Sequence, residues 1–287
     1  MVMDAHHYSQ VALLITHYNR SQSLKRLLQT FEKQQIIFGE IIVSDDGSEL
    51  FHQAELKRLQ SEFGFKLIES DENKGLGNNI NKGQSAVTKP YTLYIQEDFI
   101  PKPAFATHFE EALQLMESNK ELDIARFYAY FAYPKLRPYQ KDFAEMIFSW
   151  RTLNHLKFYA YSDHPHLRRS NFFEKFGHYP EGKNGDQTEY QMAVSFLKNK
   201  GKGLFYNQFN MLFDQCNSSA EPSTMNRSEW RQSKNFLILL IRAFYLKFKL
   251  IKSHLDLLLA KPNTSFTNIN YKDGTTFSAG NAAHNTL

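Results

Sequence analysis

The chain has a single cysteine, Cys216, among 287 residues. That excludes an internal disulfide and a cysteine-based zinc site, and it fits a reducing cytoplasm. Charge of one sign is also scarce. Thirty-four basic residues stand against 30 acidic ones, a formal +4, too weak a field for binding nucleic acid by phosphate neutralisation unless the positives cluster. They cluster only near the C-terminus, so no nucleic-acid partner is expected. Long hydrophobic runs are missing. The N-terminal apolar stretch Val11 to Ile15 ends at Thr16 and His17, which is a strand and not a signal peptide. No internal repeat is present. What is plentiful is aromatic: 25 Phe and 15 Tyr, rings suited to sugar or lipid contacts.

The length holds one sizeable core. VALLIT at 11–16 reads as a strand, and the polar turn His17 to Ser21 leads into a helix carrying Leu24, Leu27, Leu28 and Phe31 at three- and four-residue spacing. Ser21 is the expected cap. EIIVS at 40–44 is a second strand. A helix with Leu56, Leu59 and Phe63 on one face, a strand at 65–68, a glycine-rich turn with a helix near 78–87, and a strand at 91–95 complete the first half. Such alternation predicts an α/β fold: a mostly parallel sheet flanked by helices, with ligands bound beyond the carboxyl ends of the strands. Later elements are a helix near 104–118, a strand from 124 to 130 and a helix at 187–199. Residues 218–234 are polar and loop-like.

Three polar motifs fall at strand ends. In EIIVSDDGS, Asp45 and Asp46 are placed to accept hydrogen bonds from a base or ribose, Gly47 permits a sharp turn and Ser48 is available to cap the next helix. An ordinary Asp-Asp-Gly turn is the plain alternative. In YIQEDF, Gln96, Glu97 and Asp98 follow a strand expected at the centre of the sheet and offer the oxygen ligands that Mg²⁺ or Mn²⁺ takes; an acidic surface turn is the alternative. Between them, ENKGLGNNINKG opens a helix at Gly75 and Gly77 whose free N–H groups favour phosphate.

LLITHYNR, EIIVSDDGS, NKGLGNNINKG and LYIQEDFIP, in this order over residues 10–103, resemble the nucleotide-binding half of family 2 glycosyltransferases. The resemblance implies a GT-A, Rossmann-like fold over residues 1–235, with an acceptor half at about 104–217. It implies a nucleotide-sugar donor, most commonly a UDP-sugar, and a saccharide or lipid-linked saccharide acceptor, as in cell-envelope polysaccharide synthesis. On the donor side it implies Thr16, Tyr18, Asn19 and Arg20, then Asp45 or Asp46, then Lys74, Gly75 and Asn79, with Glu97 as a helper. The metal motif falls on Gln96 to Asp98; Gln96 departs from the usual first acid and leaves Asp98 as the metal ligand. YSDHPHLRRSNFFEKFGHYPEG resembles the acceptor-side segment, in which His164, His166, Arg168 and Arg169 are placed to meet the donor diphosphate or an anionic acceptor. A solvated basic loop is the alternative. GDQTEYQMAVSFL resembles the segment that carries the general base, here Asp186 or Glu189. As a helix start, the same pair would be a cap and a dipole partner. The expected reaction is one in-line displacement with inversion. A catalytically degenerate relative that binds a nucleotide or glycan is the rival reading, motivated by Gln96. A sugar nucleotidyltransferase would need an N-terminal glycine-rich loop that residues 11–21 lack.

Residues 236–260 are apolar but interrupted by Arg242, Lys247, Lys249 and Lys252, so no run of about twenty apolar residues exists to span a bilayer. Asn235, Arg242, Lys249 and Asp256 recur every seven residues and define a polar stripe. The pattern reads as an amphipathic helix in peripheral contact with the inner face of a membrane; a helix docked on the domain or on a second subunit is the alternative. Residues 261–287, rich in Asn, Thr, Ser and Gly, are expected to be disordered.

Overall fold

The computed structural model describes residues 5–217, 221 and 236–263, with backbone only at 236–243. Strand β1 (His6–His17), helix α1 (Ser21–Lys33), strand β2 (Ile36–Asp45), helix α2 (Leu50–Phe63), strand β3 (Lys66–Ile68), helix α3 (Leu76–Ser85) and strand β4 (Tyr91–Gln96) follow the alternation read from the sequence. In the second half come β5 (Phe99–Pro101), α4 (Phe105–Ser118), β6 (Ile124–Arg126), the β7 (Leu136–Pro138) and β8 (Phe143–Met146) hairpin, and β9 (His166–Arg169). Then follow α5 (Phe172–Phe176), α6 (Gly185–Lys198), β10 (Gly203–Tyr206), β11 (Phe213–Gln215) and α7 (Phe236–Leu259).

Among the described residues, nine strands form one sheet in the order β3-β2-β1-β4-β9-β6-β10-β8-β7. The first four are parallel, with Ile15 opposite both Val43 and Ile95, so β1, β2 and β4 end together and present their following loops on one edge. This is the GT-A arrangement of a large, mostly parallel sheet flanked by helices. β9 breaks the direction, running antiparallel to both β4 and β6. β5 and β11 pair separately and hold the chain after Asp98 against Gln215. Burial explains the runs: Val11 to Ile15 are fully buried, as expected of a strand covered on both faces. One side of the sheet packs Leu24, Leu27, Phe31, Phe105 and Phe109, and the other packs Ile80, Phe172, Met192 and Phe196.

Two expected caps differ. Arg20 precedes α1 without a side-chain cap bond, and Ser21 Oγ pairs instead with His52 Nδ1 at 2.9 Å. Glu49 precedes α2, and Ser48 turns back to the Asp45 carboxylate, because a buried carboxylate needs the donor more than an exposed helix end does. The expected strand at 124–130 ends at Arg126. Gly47 has φ +70°, and a Cβ there would lie 2.3 Å from the Glu72 backbone. Only glycine fits that turn.

α7 packs on α6 and the 3₁₀ turn His155–Phe158 through Leu257, with Leu250 and Ala260 beside it. Lys249 lies over the Tyr159 ring, and Asp256 accepts from Tyr190 Oη at 2.8 Å. The described part of the heptad stripe therefore faces the domain and not solvent. Among the described residues no helix is long and apolar enough to cross a membrane. Asn263 is fastened to Asn199 Oδ1 and the Glu174 carbonyl; the rest of the tail expected to be disordered lies outside the described residues.

Candidate active site

The loops after β1, β2 and β4 meet at the sheet edge. His17, buried at the end of β1, accepts the Arg20 N–H at Nε2 (3.2 Å), so Nδ1 carries the proton donated to Asp45 Oδ1 at 2.7 Å. Asp45 also accepts the Ser48 N–H at 3.0 Å and the Ser48 hydroxyl. These hydrogen bonds hold its carboxyl below the usual range against the burial that opposes them. Asp46 accepts the N–H groups of Lys74 (3.0 Å) and Gly75 (2.8 Å), while burial pushes its pKa up. Both aspartates are thus engaged by the protein's own turns: Asp45 locks the end of β2, and Asp46 fixes the turn that opens α3.

Thr16 Oγ1 lies 3.1 Å from Tyr94 Oη, and Tyr18 is half-buried. Asn19 has φ +53° and bridges to the β2 loop, its N–H on Ser48 Oγ and its Oδ1 on the Glu49 N–H. Asn79 Nδ2 reaches the His17 carbonyl at 3.2 Å, and its buried Oδ1 has no partner among the described residues. Lys74 is half-exposed beside Glu72.

Arg20 is buried, with Nη1 at 3.5 Å from Glu97 Oε1 and 3.3 Å from Asp98 Oδ2. Its Nη2 donates to Asn217 Oδ1 at 2.6 Å. Burial and the charge of Asp98 raise the Glu97 pKa strongly. Asp98 Oδ2 also accepts Gln215 Nε2 at 2.8 Å, whereas its buried Oδ1 has no partner among the described residues. An orphaned carboxylate oxygen is what a hard divalent cation would satisfy. Glu97 adds a second oxygen donor, although no group of three or more His, Cys, Asp or Glu side chains forms a metal cage among the described residues.

A chain of contacts leads from Asp98 to the acceptor half: Gln215 bonds Tyr130, the Tyr130 ring meets His164 edge-on, and His164 Nδ1 lies 2.8 Å from Ser162 Oγ. Ser162 is in turn a hydrogen-bond partner of Glu189. Glu189 Oε1 accepts the Asp163 N–H at 3.2 Å. Asp163 is buried; Tyr179 Oη donates to its Oδ1 at 3.0 Å, and its Oδ2 has no partner among the described residues. Burial raises both carboxyl pKa values, with repulsion from Glu189 adding to the rise of Asp163 and repulsion from Asp186 to that of Glu189, while the Ser162 and Asp163 N–H hydrogen bonds and buried Arg126 act on Glu189 in the opposite sense. Asp186, one turn earlier, is exposed. The cap of α6 is Asn184, whose Oδ1 accepts the Gln187 N–H at 2.9 Å, so Asp186 is not the cap of the alternative reading and lies instead in the first turn.

The basic segment divides. His164 stands beside Phe99 and the Asp98 loop. Arg168, expected at the donor, lies in β9 opposite Thr92, four residues before β4 ends at Gln96, a separation of about 13 Å along the strand. It is fully buried, bonded to Gln84 Oε1 at 2.7 Å and stacked over Tyr94, Phe172 and Phe173. His166 is likewise buried, and Arg169 holds the carbonyls of Leu122, Met116 and Asn119. β9 is antiparallel, so residues further along it move away from the loop edge. Sequence reading missed Asp163, Arg126, Gln215 and Glu221. Asp163 lies inside the segment already singled out, but nothing local marks it. Glu221 binds the N–H groups of Gln22 and Ser23, a pairing across nearly two hundred residues with no local signal.

The chain matches Glycosyl transferase family 2 over residues 12–179, more than half its length. It belongs to that family. Among solved structures, the S. aureus TarS fragment 1–349 in complex with UDP-GlcNAc is similar at 14% identity and TM-score 0.54, covering 86% of this chain and 73% of that one. The mannosyltransferase PcManGT from Pyrobaculum calidifontis, in complex with GDP-Man and Mn²⁺, is similar at 12% identity and TM-score 0.51, covering 88% and 70%. These likenesses are of fold. The match spans 59% of the TarS 1–349 chain in another of its structures and 36% of the longer TarS chain. A search of curated proteins found no match.

Proposed function

We propose that this glycosyltransferase moves a sugar from a nucleotide-sugar donor, a UDP-sugar first, to a hydroxyl of a saccharide or lipid-linked saccharide of the cell envelope, with inversion. The observation that carries the reading is the pairing of two carboxylates of different character. Asp98 at the end of β4 has an orphaned oxygen, and Glu189 on α6 is joined to it through Gln215, Tyr130, His164 and Ser162. The nucleotides bound to the TarS fragment and to PcManGT, UDP-GlcNAc and GDP-Man, support the donor class.

In this reading the end of β1 with its following turn, Thr16–Arg20, and the turn and first residues of α3, Lys74–Asn79, braced by Asp45 and Asp46, shape the nucleoside site. Asp98 Oδ1, with Glu97, would hold Mn²⁺ or Mg²⁺; when bound, the ion neutralises charge on the diphosphate leaving group. Glu189 takes the proton from the acceptor hydroxyl as that oxygen bonds the anomeric carbon and the bond to the diphosphate breaks. The Asp163 N–H sets Glu189 in place, and with Ser162 and Arg126 it offsets part of the rise that burial gives its proton affinity. Glu189 is favoured over Asp186 as the base, because a half-buried carboxylate with a raised pKa is better matched to proton transfer near neutral pH than an exposed one.

The Arg20 guanidinium lying against both Glu97 and Asp98 favours a second reading, in which an internal cation replaces the metal and the protein binds a nucleotide or glycan without turnover. Calorimetric titration with UDP, GDP and dTDP, with and without Mn²⁺, followed by assay of donor hydrolysis, separates the two. Metal-dependent binding and hydrolysis, both lost in Asp98→Ala, support transfer. Nucleotide binding indifferent to metal, with no hydrolysis, supports the second reading.

A further inference from the structure

From Phe244 onward, α7 wears its apolar side outward. Phe244, Phe248, Ile251, Leu255, Leu258 and Leu259 are each more than half exposed, and their spacing of three and four residues aligns them in one stripe. The opposite stripe, Leu250, Ser253, Leu257 and Ala260, packs on the domain. The outer stripe continues onto the neighbouring loop: Trp150, half exposed, stacks on His254 at 5.3 Å, and Leu153 beyond it is 84% exposed. A monomeric protein rarely leaves so long an apolar strip in water unless something covers it.

The charges beside the strip are mostly of one sign. Residues 236–263 carry five basic residues and one acid, which accounts for the whole formal +4 of the chain. Lys247 and Lys252 are exposed along the strip, and the acid, Asp256, is paired with Lys252 and Tyr190. Lys183, Lys252 and Lys261 line an open groove of about 600 Å³ between α6 and α7 that reaches the strip at Leu259. A second copy of this chain fits poorly, since a two-fold contact sets the same patch against itself and would face lysine with lysine. A surface apolar within and negative at its phosphates fits both features.

We propose that the outer stripe of α7, with Trp150 and Leu153, is a docking surface for a bilayer containing anionic phospholipid, whose headgroup phosphates enter the lysine-lined groove. The surface bears on the lipid-linked acceptor of the proposed function, because α6, which carries Glu189, is the helix that α7 packs against.

Co-sedimentation of the full chain with phosphatidylcholine vesicles, with and without phosphatidylglycerol, tests it. Binding is expected to vesicles containing phosphatidylglycerol, to weaken with salt, and to blue-shift the Trp150 emission in a Trp230→Phe background. Phe248→Ser with Leu255→Ser should cut the partition at least about tenfold. Lys247→Gln with Lys252→Gln should cut it by about fivefold per lysine and reduce the salt dependence. All four side chains are exposed, so the fold should survive, and nucleotide binding measured on the same samples reports both the fold and the glycosyltransferase reading independently. Absence of wild-type binding to anionic vesicles, or equal binding by the Phe248/Leu255 variant, overturns the proposal. So does a dimer in sedimentation equilibrium that the same variant dissociates, which would make a second copy the occupant.

Discussion

Replacing Arg20 by methionine isolates the charge balance at the heart of the candidate site. The guanidinium is 3.3 Å from Asp98 Oδ2 and 3.5 Å from Glu97 Oε1, and all three side chains are buried. With an effective dielectric of about 20, one such contact amounts to about 5 kcal/mol before desolvation is counted. Removing one partner of a buried pair typically costs about 3–5 kcal/mol, because the other charge stays buried and uncompensated. Glu97, whose pKa is pushed up, is spared part of this cost by taking up a proton; Asp98 bears the remainder. Arg20→Met should therefore lower the unfolding free energy by about 3 kcal/mol in metal-free buffer, measured by urea titration. Mn²⁺ should return much of that loss, since a cation held at a hundred times its Kd contributes about 2.7 kcal/mol. Arg20→Lys keeps the charge and should fall between. If Arg20→Met loses less than about 1 kcal/mol, or loses more and Mn²⁺ restores none of it, the view of Asp98 as a cation-seeking carboxylate is refuted.

Glu189→Gln keeps an oxygen for the Asp163 N–H and should lower kcat by about 10²–10⁴ while leaving donor affinity unchanged; Asp186→Asn should cost far less, and the reverse ranking in a transfer assay would move the base to Asp186. The raised pKa of Glu189 means that kcat should fall on the acid side at a higher pH than an ordinary glutamate would give, a limb seen in a pH–rate profile. Asp163 holds its proton more tightly when folded than unfolded, so its burden on stability is absent below about pH 4 and grows as pH rises through its raised value. Asp163→Asn should accordingly gain stability on wild type with increasing pH, and a constant difference in Tm across that range would contradict it. Gly77 sits where an added Cβ would come within 2.4 Å of the Pro180 carbonyl and 3.1 Å of Thr188; Gly77→Ala should destabilise by about 1–3 kcal/mol in denaturant titration.

Sequence alone determined the first half of the fold. Periodicity placed β1, β2, β4 and helices α1 to α4 within a few residues, because their apolar patterns record burial that is local to each element, and strand ends carry their polar motifs next to them in the chain. Asp98 was readable as a candidate for the same reason, whereas Glu189 entered through the family resemblance, as one of two acids with Asp186. Only tertiary structure decided which groups of the second half meet. Arg168 and His164 are four residues apart and look alike as basic loop residues, yet the antiparallel insertion of β9 between β4 and β6 sends one into the core and leaves the other beside Asp98. Asp163 became a partner of Glu189, and Gln215 of Asp98, through contacts spanning 26 and 117 residues. α7 shows the limit most plainly. Its heptad of polar residues was readable, but which stripe turned inward depended on Tyr159 and Tyr190 being there to receive Lys249 and Asp256. Helical periodicity says that two faces differ; only the partner surface decides which of them is buried.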